Sequence, residues 1–204
     1  MASMNYMMVT VATCEASYVA PALKHVAGLV DELKSKAGAL TARYGVMSTG
    51  DNAGSIVLFQ GYEELNGVDR AFKVYAESSD YQAIITSGKL GVRLRNLWKI
   101  EALQLRNPSS ETPAYGVVTR FASADVMLER MQELVPLFEE NGAMVIRYGT
   151  LMTGNNAGKR LFGATYPSMD AIEKTYDALR ASDVYNATLG EIDLEFRNII
   201  RFVG

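Results

Sequence analysis

One twelve-residue stretch occurs twice in this chain, and it limits the fold more than any other feature. The first copy runs Arg43-Tyr44-Gly45-Val46-Met47-Ser48-Thr49-Gly50-Asp51-Asn52-Ala53-Gly54. The second runs Arg147-Tyr148-Gly149-Thr150-Leu151-Met152-Thr153-Gly154-Asn155-Asn156-Ala157-Gly158, and eight of the twelve pairs are identical. A duplication of this kind means that one topology must serve both halves of the chain.

The flanking patterns give that topology. Residues Tyr6 to Thr13 are rich in β-branched side chains and read as a strand. Ser17 is placed to cap a helix, with Pro21 tolerated in its first turn. Val19, Leu23, Val26, Val30 and Leu33 recur at helical spacing until Gly38 ends the run. Strands at 39–47 and 56–59 flank the turn-forming cluster Thr49 to Gly54 and should form a hairpin. Leu65, Val68, Phe72 and Tyr75 mark a second helix, a capped turn follows at Ser78 to Ala83, and residues 92–103 read as a last strand. Past Pro113 the order β-α-β-β-α-β begins again, with a strand at 115–121 and helix positions Met127, Met131, Leu134 and Phe138. Pro136 inside that helix is expected to kink or break it. The reading is therefore α+β: one ferredoxin-like repeat over 1–105, a linker over 106–113, and a second repeat over 114–204.

In such a unit two helices cover one face of a four-stranded sheet and leave the other bare. Here both faces of the strands carry apolar groups: Met7, Val9 and Val11 alternate with Met8 and Ala12. A bare face of about 400 Å² on each half is worth roughly 20 kcal/mol gross when buried at ~25 cal/mol per Å². The two halves are therefore expected to close on each other, sheet facing sheet, about a pseudo-twofold axis.

The duplicated order, together with the Ser-Ser-Asp-Tyr and Ser-Asp-Val-Tyr turns that end at Tyr81 and Tyr185, resembles the dimeric α+β barrel superfamily. That group includes antibiotic-biosynthesis monooxygenases, stress-responsive barrels and haem-using branches. The resemblance implies a pocket between sheet and helices in each half, but it transfers no activity.

Composition narrows the partners. A net charge of −3 with scattered Lys and Arg gives no nucleic-acid footprint. No apolar run reaches the ~20 residues of a membrane helix, and no secretory signal opens the sequence. With one cysteine, Cys14, no internal disulfide is possible, so a cytoplasmic protein is expected. Fusion supplies the partner that other barrels gain by dimerising, so a pseudo-symmetric monomer, or a homodimer of it, is expected.

Seven residues are candidates for ligand binding. Asn96 and Asn198 match between the repeats and alternate in register with Leu94, Trp98 and Ile100, and with Phe196 and Ile200. An amide on an apolar face needs a partner, either backbone or a ligand. Tyr44 and Tyr148 are expected to face the helices. Arg43 and Arg147 point the other way, into the seam between the sheets, where Arg95 and Arg197 are expected to join them. Guanidinium groups there need carboxylates such as Glu195 or Glu101, or they gather an anion. Trp98 is matched by Ile200, so the two pockets should differ. The Thr49–Gly54 loop and its copy open strands rather than helices and lack Walker spacing, so they read as turns.

His25, the only histidine, is expected at the boundary of the first helix rather than on haem, and Cys14 reads as a small buried side chain. No cluster has metal-ligand spacing, and no cofactor is expected. Three functions fit: a barrel binding a small apolar or aromatic molecule, a non-catalytic stress-associated or interaction barrel, and a cofactor-independent monooxygenase-like enzyme.

Overall fold

The computed structural model describes residues 3–204. The first repeat contains β1 (Tyr6–Cys14), α1 (Val19–Lys36), β2 (Thr41–Met47), β3 (Ile56–Tyr62), α2 (Leu65–Glu77), α3 (Ser79–Thr86) and β4 (Leu90–Glu101). The second contains β5 (Tyr115–Ala122), α4 (Leu128–Glu140), β6 (Val145–Leu151), β7 (Arg160–Tyr166), α5 (Met169–Arg180), α6 (Asp183–Glu191) and β8 (Asp193–Phe202).

Helix boundaries follow local chemistry. The short helices α3 and α6 start at Ser78 and Ser182, whose hydroxyls accept the backbone N–H groups of Tyr81 and Tyr185. At the end of α1, Gly38 takes φ +71°, a conformation that costs glycine nothing. Two expectations are corrected. Helix α1 opens at Val19 after a 3₁₀ turn, with Tyr18 rather than Ser17 in the cap position. Pro136 lies inside α4, which continues unbroken to Glu140.

The eight strands form one closed antiparallel barrel in the order β1-β3-β2-β8-β5-β7-β6-β4. Each repeat contributes four neighbouring strands, and two seams join them. At one seam β2 pairs with β8 over Gly45–Met47; at the other β4 pairs with β6 over Trp98–Glu101. Because neighbouring strands alternate in direction, β1 and β5 run the same way, and the pseudo-twofold axis lies along the barrel. The six helices cover the outside. Two apolar cores fill the space between helices and barrel wall, one per repeat, and a third fills the lumen with Met7, Val9, Phe59, Trp98, Leu161 and Ile200 among others.

The duplicated stretch builds these seams, and its identities have separate reasons. A Cβ on Gly45 would run into the Arg201 carbonyl, and one on Gly149 into the Lys99 carbonyl, so glycine lets the seam strands approach. Past the end of each ladder the chain reaches across to the other repeat. Ser48 N–H donates to the Ile199 carbonyl at 2.7 Å and Met152 N–H to the Leu97 carbonyl at 2.7 Å. The Thr49 hydroxyl accepts Ile199 N–H at 2.8 Å, and the Thr153 hydroxyl accepts Leu97 N–H at 2.9 Å. Gly50 and Gly154 then turn with φ near +80°, each packed against the asparagine of the opposite repeat, Asn198 and Asn96.

Candidate functional site

Strand alternation decides which candidates share a space. Along β4, Leu94, Asn96, Trp98 and Ile100 face the lumen, and along β8 Phe196, Asn198, Ile200 and Phe202 do the same. Arg43 on β2 and Arg147 on β6 also face inward. Tyr44 and Tyr148 face outward into the two helix-side cores. The Tyr148 hydroxyl donates to the Val126 carbonyl at 2.5 Å, and Tyr44 packs against the C-terminal Gly204. Burial pushes both tyrosine hydroxyls above their ordinary pKa, so neither is a ready acid.

The expected pocket between sheet and helices is met unequally in the two repeats. Enclosed gaps of about 40 Å³ lie there in each repeat, and in the second an open groove of about 500 Å³ runs beneath α5, lined by Ile172, Tyr176, Arg180 and Arg197 among others. Arg95 and Arg197, expected in the seam, instead lie under the helices. The Arg95 guanidinium stacks 4.6 Å from the Tyr75 ring and donates to the Tyr81 hydroxyl at 3.3 Å. Arg197 stacks 4.5 Å from the Tyr176 ring and donates to the Tyr185 hydroxyl at 2.6 Å. Aromatic faces and phenol oxygens let a guanidinium sit beneath an apolar layer. The turns ending at Tyr81 and Tyr185 are thus clamps between the wall and its helices.

The lumen itself holds two chambers. The upper chamber, at the end bearing the Gly50 and Gly154 turns, has a volume of about 450 Å³. Asn96 and Asn198 stand on its wall, one from each repeat, 7% and 6% exposed. Among the described residues neither side-chain amide has a hydrogen-bond partner. Its mouth is asymmetric. Arg120 sits opposite Phe196 on the second repeat's side, where the first has Val11 opposite Leu94. Arg120 pairs with Glu195 at 2.5 Å and lies 4.6 Å over the Phe196 ring, and Lys159 bonds the other Glu195 oxygen. Burial by itself raises the Glu195 pKa, but the bonds from Lys159 and Arg120 outweigh it and hold the carboxylate below its ordinary range. Glu195 thus serves Arg120 and Lys159, not the four guanidinium groups for which it was expected. The Arg120–Lys159 cluster is hard to find from sequence, because Lys159 and Glu195 meet only once β7 and β8 flank β5.

The lower chamber, at the opposite end, measures about 140 Å³. Phe59, Trp98, Val118 and Phe202 line it together with Arg43 and Arg147. Thus five of the seven candidates reach the lumen, Asn96 and Asn198 above, Arg43, Trp98 and Arg147 below, while Tyr44 and Tyr148 do not.

A family profile described as a domain of unknown function, DUF6854, matches residues 4–100 and 113–202. The chain belongs to that family. The two matched stretches coincide with the two repeats. No curated protein matches. Among solved structures, this family member is similar to a protein from Fusobacterium nucleatum provisionally named a monooxygenase, at TM-score 0.69 and 12% identity, covering 100% of this chain and 94% of that one. A chlorite dismutase variant from Candidatus Nitrospira defluvii aligns at TM-score 0.63 and 9% identity, covering 100% and 93%. A haem-binding protein from Thermus thermophilus aligns at TM-score 0.61 and 10% identity, covering 98% and 92%. At these identities the likeness is one of fold: a chlorite dismutase-like, two-repeat α+β barrel.

The residues present do not fit haem. Iron in a porphyrin needs an axial His, Cys, Tyr or Met beside a large apolar slot. His25 lies on the outer surface of α1, its Nδ1 2.8 Å from Asp80 Oδ1, and does not line any of the cavities described above. The enclosed helix-side gaps are too small for a macrocycle, and the open groove beneath α5 offers only Tyr176, whose ring is already covered by the Arg197 guanidinium. The upper chamber offers only the thioether of Met47 among such ligands. Cys14 is half-buried rather than buried, and its thiol is pushed up first by burial and then by Glu15. Among the described residues no group of three or more His, Cys, Asp or Glu could hold a metal ion, and no helix is long and apolar enough to cross a membrane.

Proposed function

We propose that this chain is a small-molecule-binding barrel whose ligand occupies the upper chamber of the lumen. The observation that carries the reading is the pair of uncommitted amides. Asn96 and Asn198 converge from both repeats on a chamber of about 450 Å³ whose remaining wall joins aliphatic and aromatic side chains to Asp51, Arg120, Glu195 and Arg197. The amide atoms open onto the chamber rather than being sealed in protein, and a ligand carbonyl or hydroxyl placed there gains a hydrogen bond worth about 0.5–1.5 kcal/mol net. The volume falls within the ~300–1,000 Å³ range of small-molecule sites. The ligand is accordingly a mostly apolar or aromatic molecule with one or two neutral polar groups, oriented by the amides.

The test uses 2-naphthol as a neutral aromatic probe, titrated into the purified chain, together with native mass spectrometry for a co-purified molecule. Asn96→Leu with Asn198→Leu should weaken 2-naphthol roughly 10-fold, the ratio for losing one buried hydrogen bond. Binding that ignores both substitutions, or a loss of thermal stability with no change in binding, assigns the amides to packing against the Gly50 and Gly154 turns and ends the proposal.

A further inference from the structure

The lower chamber carries charge with nothing to balance it. Arg43 and Arg147 come from equivalent positions on β2 and β6 and enter the same cavity from opposite repeats. Among the described residues neither has a carboxylate partner, and none of the residues lining the chamber is acidic. Arg147 Nη1 donates to the Ile146 carbonyl at 2.9 Å; the remaining guanidinium donors of both residues are unused. Both side chains are half-buried, and burial lowers the pKa of both groups. Other arginines that are not exposed do have partners: Arg120 has Glu195, and Arg95 and Arg197 have tyrosines. The two lower arginines are the same residue in both repeats although their lumen neighbours have diverged, Trp98 in one repeat against Ile200 in the other.

We infer that the lower chamber is a binding site for a small aromatic carboxylate, its charge held between Arg43 and Arg147. The planar guanidinium fork matches a carboxylate in two-point contact. Beside the arginines stand Phe59, Trp98, Val118 and Phe202, with Phe59 and Phe202 edge-to-face at 6.3 Å, a surface for an aromatic body. Phosphate fits worse. Its fuller hydration would have to be replaced by a nest of backbone N–H groups, and the strand amides here are committed to the barrel ladders. Because each repeat gives one arginine, the site exists only in the closed pair. The two chambers share Phe59 and Val118, but Arg43 and Arg147 line only this one and Asn96 and Asn198 only the other, so either assignment can fail without the other.

The experiment titrates the full chain with benzoate, inorganic phosphate and benzyl alcohol, following Trp98 fluorescence and thermal melting. Benzoate should raise the melting temperature in a saturable way and lose affinity as salt rises, while phosphate and benzyl alcohol give little response. Arg43→Met and Arg147→Met keep the aliphatic stems and remove the charge. Each should weaken benzoate roughly 10- to 100-fold, as expected for a lost charge-assisted pair. Without benzoate, both variants should melt at or above the parent temperature, because a desolvated, unpaired charge has been removed. Asn198→Leu should leave the benzoate response intact. The inference is overturned by benzoate binding that survives both methionine variants, by phosphate binding as tightly as benzoate, or by no benzoate response at millimolar concentration. A drop in unliganded stability in both variants also overturns it, since it would mean the arginines hold the barrel together.

Discussion

Replacing Gly149 with alanine should open one seam of the barrel. A Cβ at this position would collide with the Lys99 carbonyl oxygen and sit 2.9 Å from Trp98 Nε1. The first obstacle is backbone, so no rotamer change relieves it, and β6 must move off β4. The pairing at stake is short, running only from Trp98↔Leu151 to Glu101↔Tyr148. Overpacking costs about 1–3 kcal/mol, and each ladder hydrogen bond lost costs about 1 kcal/mol more. Two such bonds bring the total to roughly 3–5 kcal/mol. For a chain of this size each kcal/mol lowers the melting temperature by about 2–4 °C, so a fall on the order of 6–20 °C is expected. Gly163→Ala supplies the internal comparison. It lies on the neighbouring strand β7, and its added methyl meets only Trp98 Cη2 at 3.6 Å, an ordinary contact. There alanine should be neutral or stabilise by about 0.5 kcal/mol through the unfolded chain. Differential scanning calorimetry of the two variants measures the difference directly. Melting temperatures within about 2 °C of each other would refute the view that the glycine serves the close approach of the seam strands.

Two further outcomes follow from the same contacts. Thr153→Val removes the hydroxyl that accepts Leu97 N–H and should cost about 1–2 kcal/mol in denaturant unfolding, with Thr49→Val matching it across the pseudo-twofold; a silent Thr153→Val would mean water replaces the hydroxyl. The folded-state pKa of Glu195 is depressed, so the stability it brings is present above the ordinary carboxylate range and lost as pH falls through the folded value. The melting-temperature gap between the parent chain and Glu195→Gln should therefore shrink as pH is lowered from neutral toward 3, and a gap independent of pH would contradict the ion-pair reading.

Much of this fold was legible because it depends on periodicity and repetition. The repeated βαββαβ order could be read from alternation, caps and turn residues, and closure of the halves from strands apolar on both faces. The face assignment of β4 and β8 was not legible, for the same reason: with apolar groups on both sides, alternation does not say which side is the lumen. Arg95 and Arg197 add to the ambiguity, because aromatic stacking under α2 and α5 hides cations where an apolar side chain would be expected. Putting Arg95 in the seam implies that Asn96 and Trp98, out of register with it, share the helix side with Tyr44; in the structure they face the lumen. The inward aim of Arg43 and Arg147 was readable, since Tyr44 and Tyr148 fixed the opposite face. The pairing of Glu195 with Arg120 was not, because the register shift at Arg120/Phe121 depends on backbone geometry that residue types do not announce.

In a barrel assembled from two identical chains, any change to one wall is imposed on the other. Joining the halves covalently lifts that constraint. Here one flank has acquired Arg120, Lys159 and Glu195 where its twin keeps Val11, Ser55 and Arg93, and a single tryptophan faces an isoleucine. A guest on the central axis would otherwise have two equivalent poses related by a half turn; the diverged flanks make those poses unequal in energy, so the fused chain can select one.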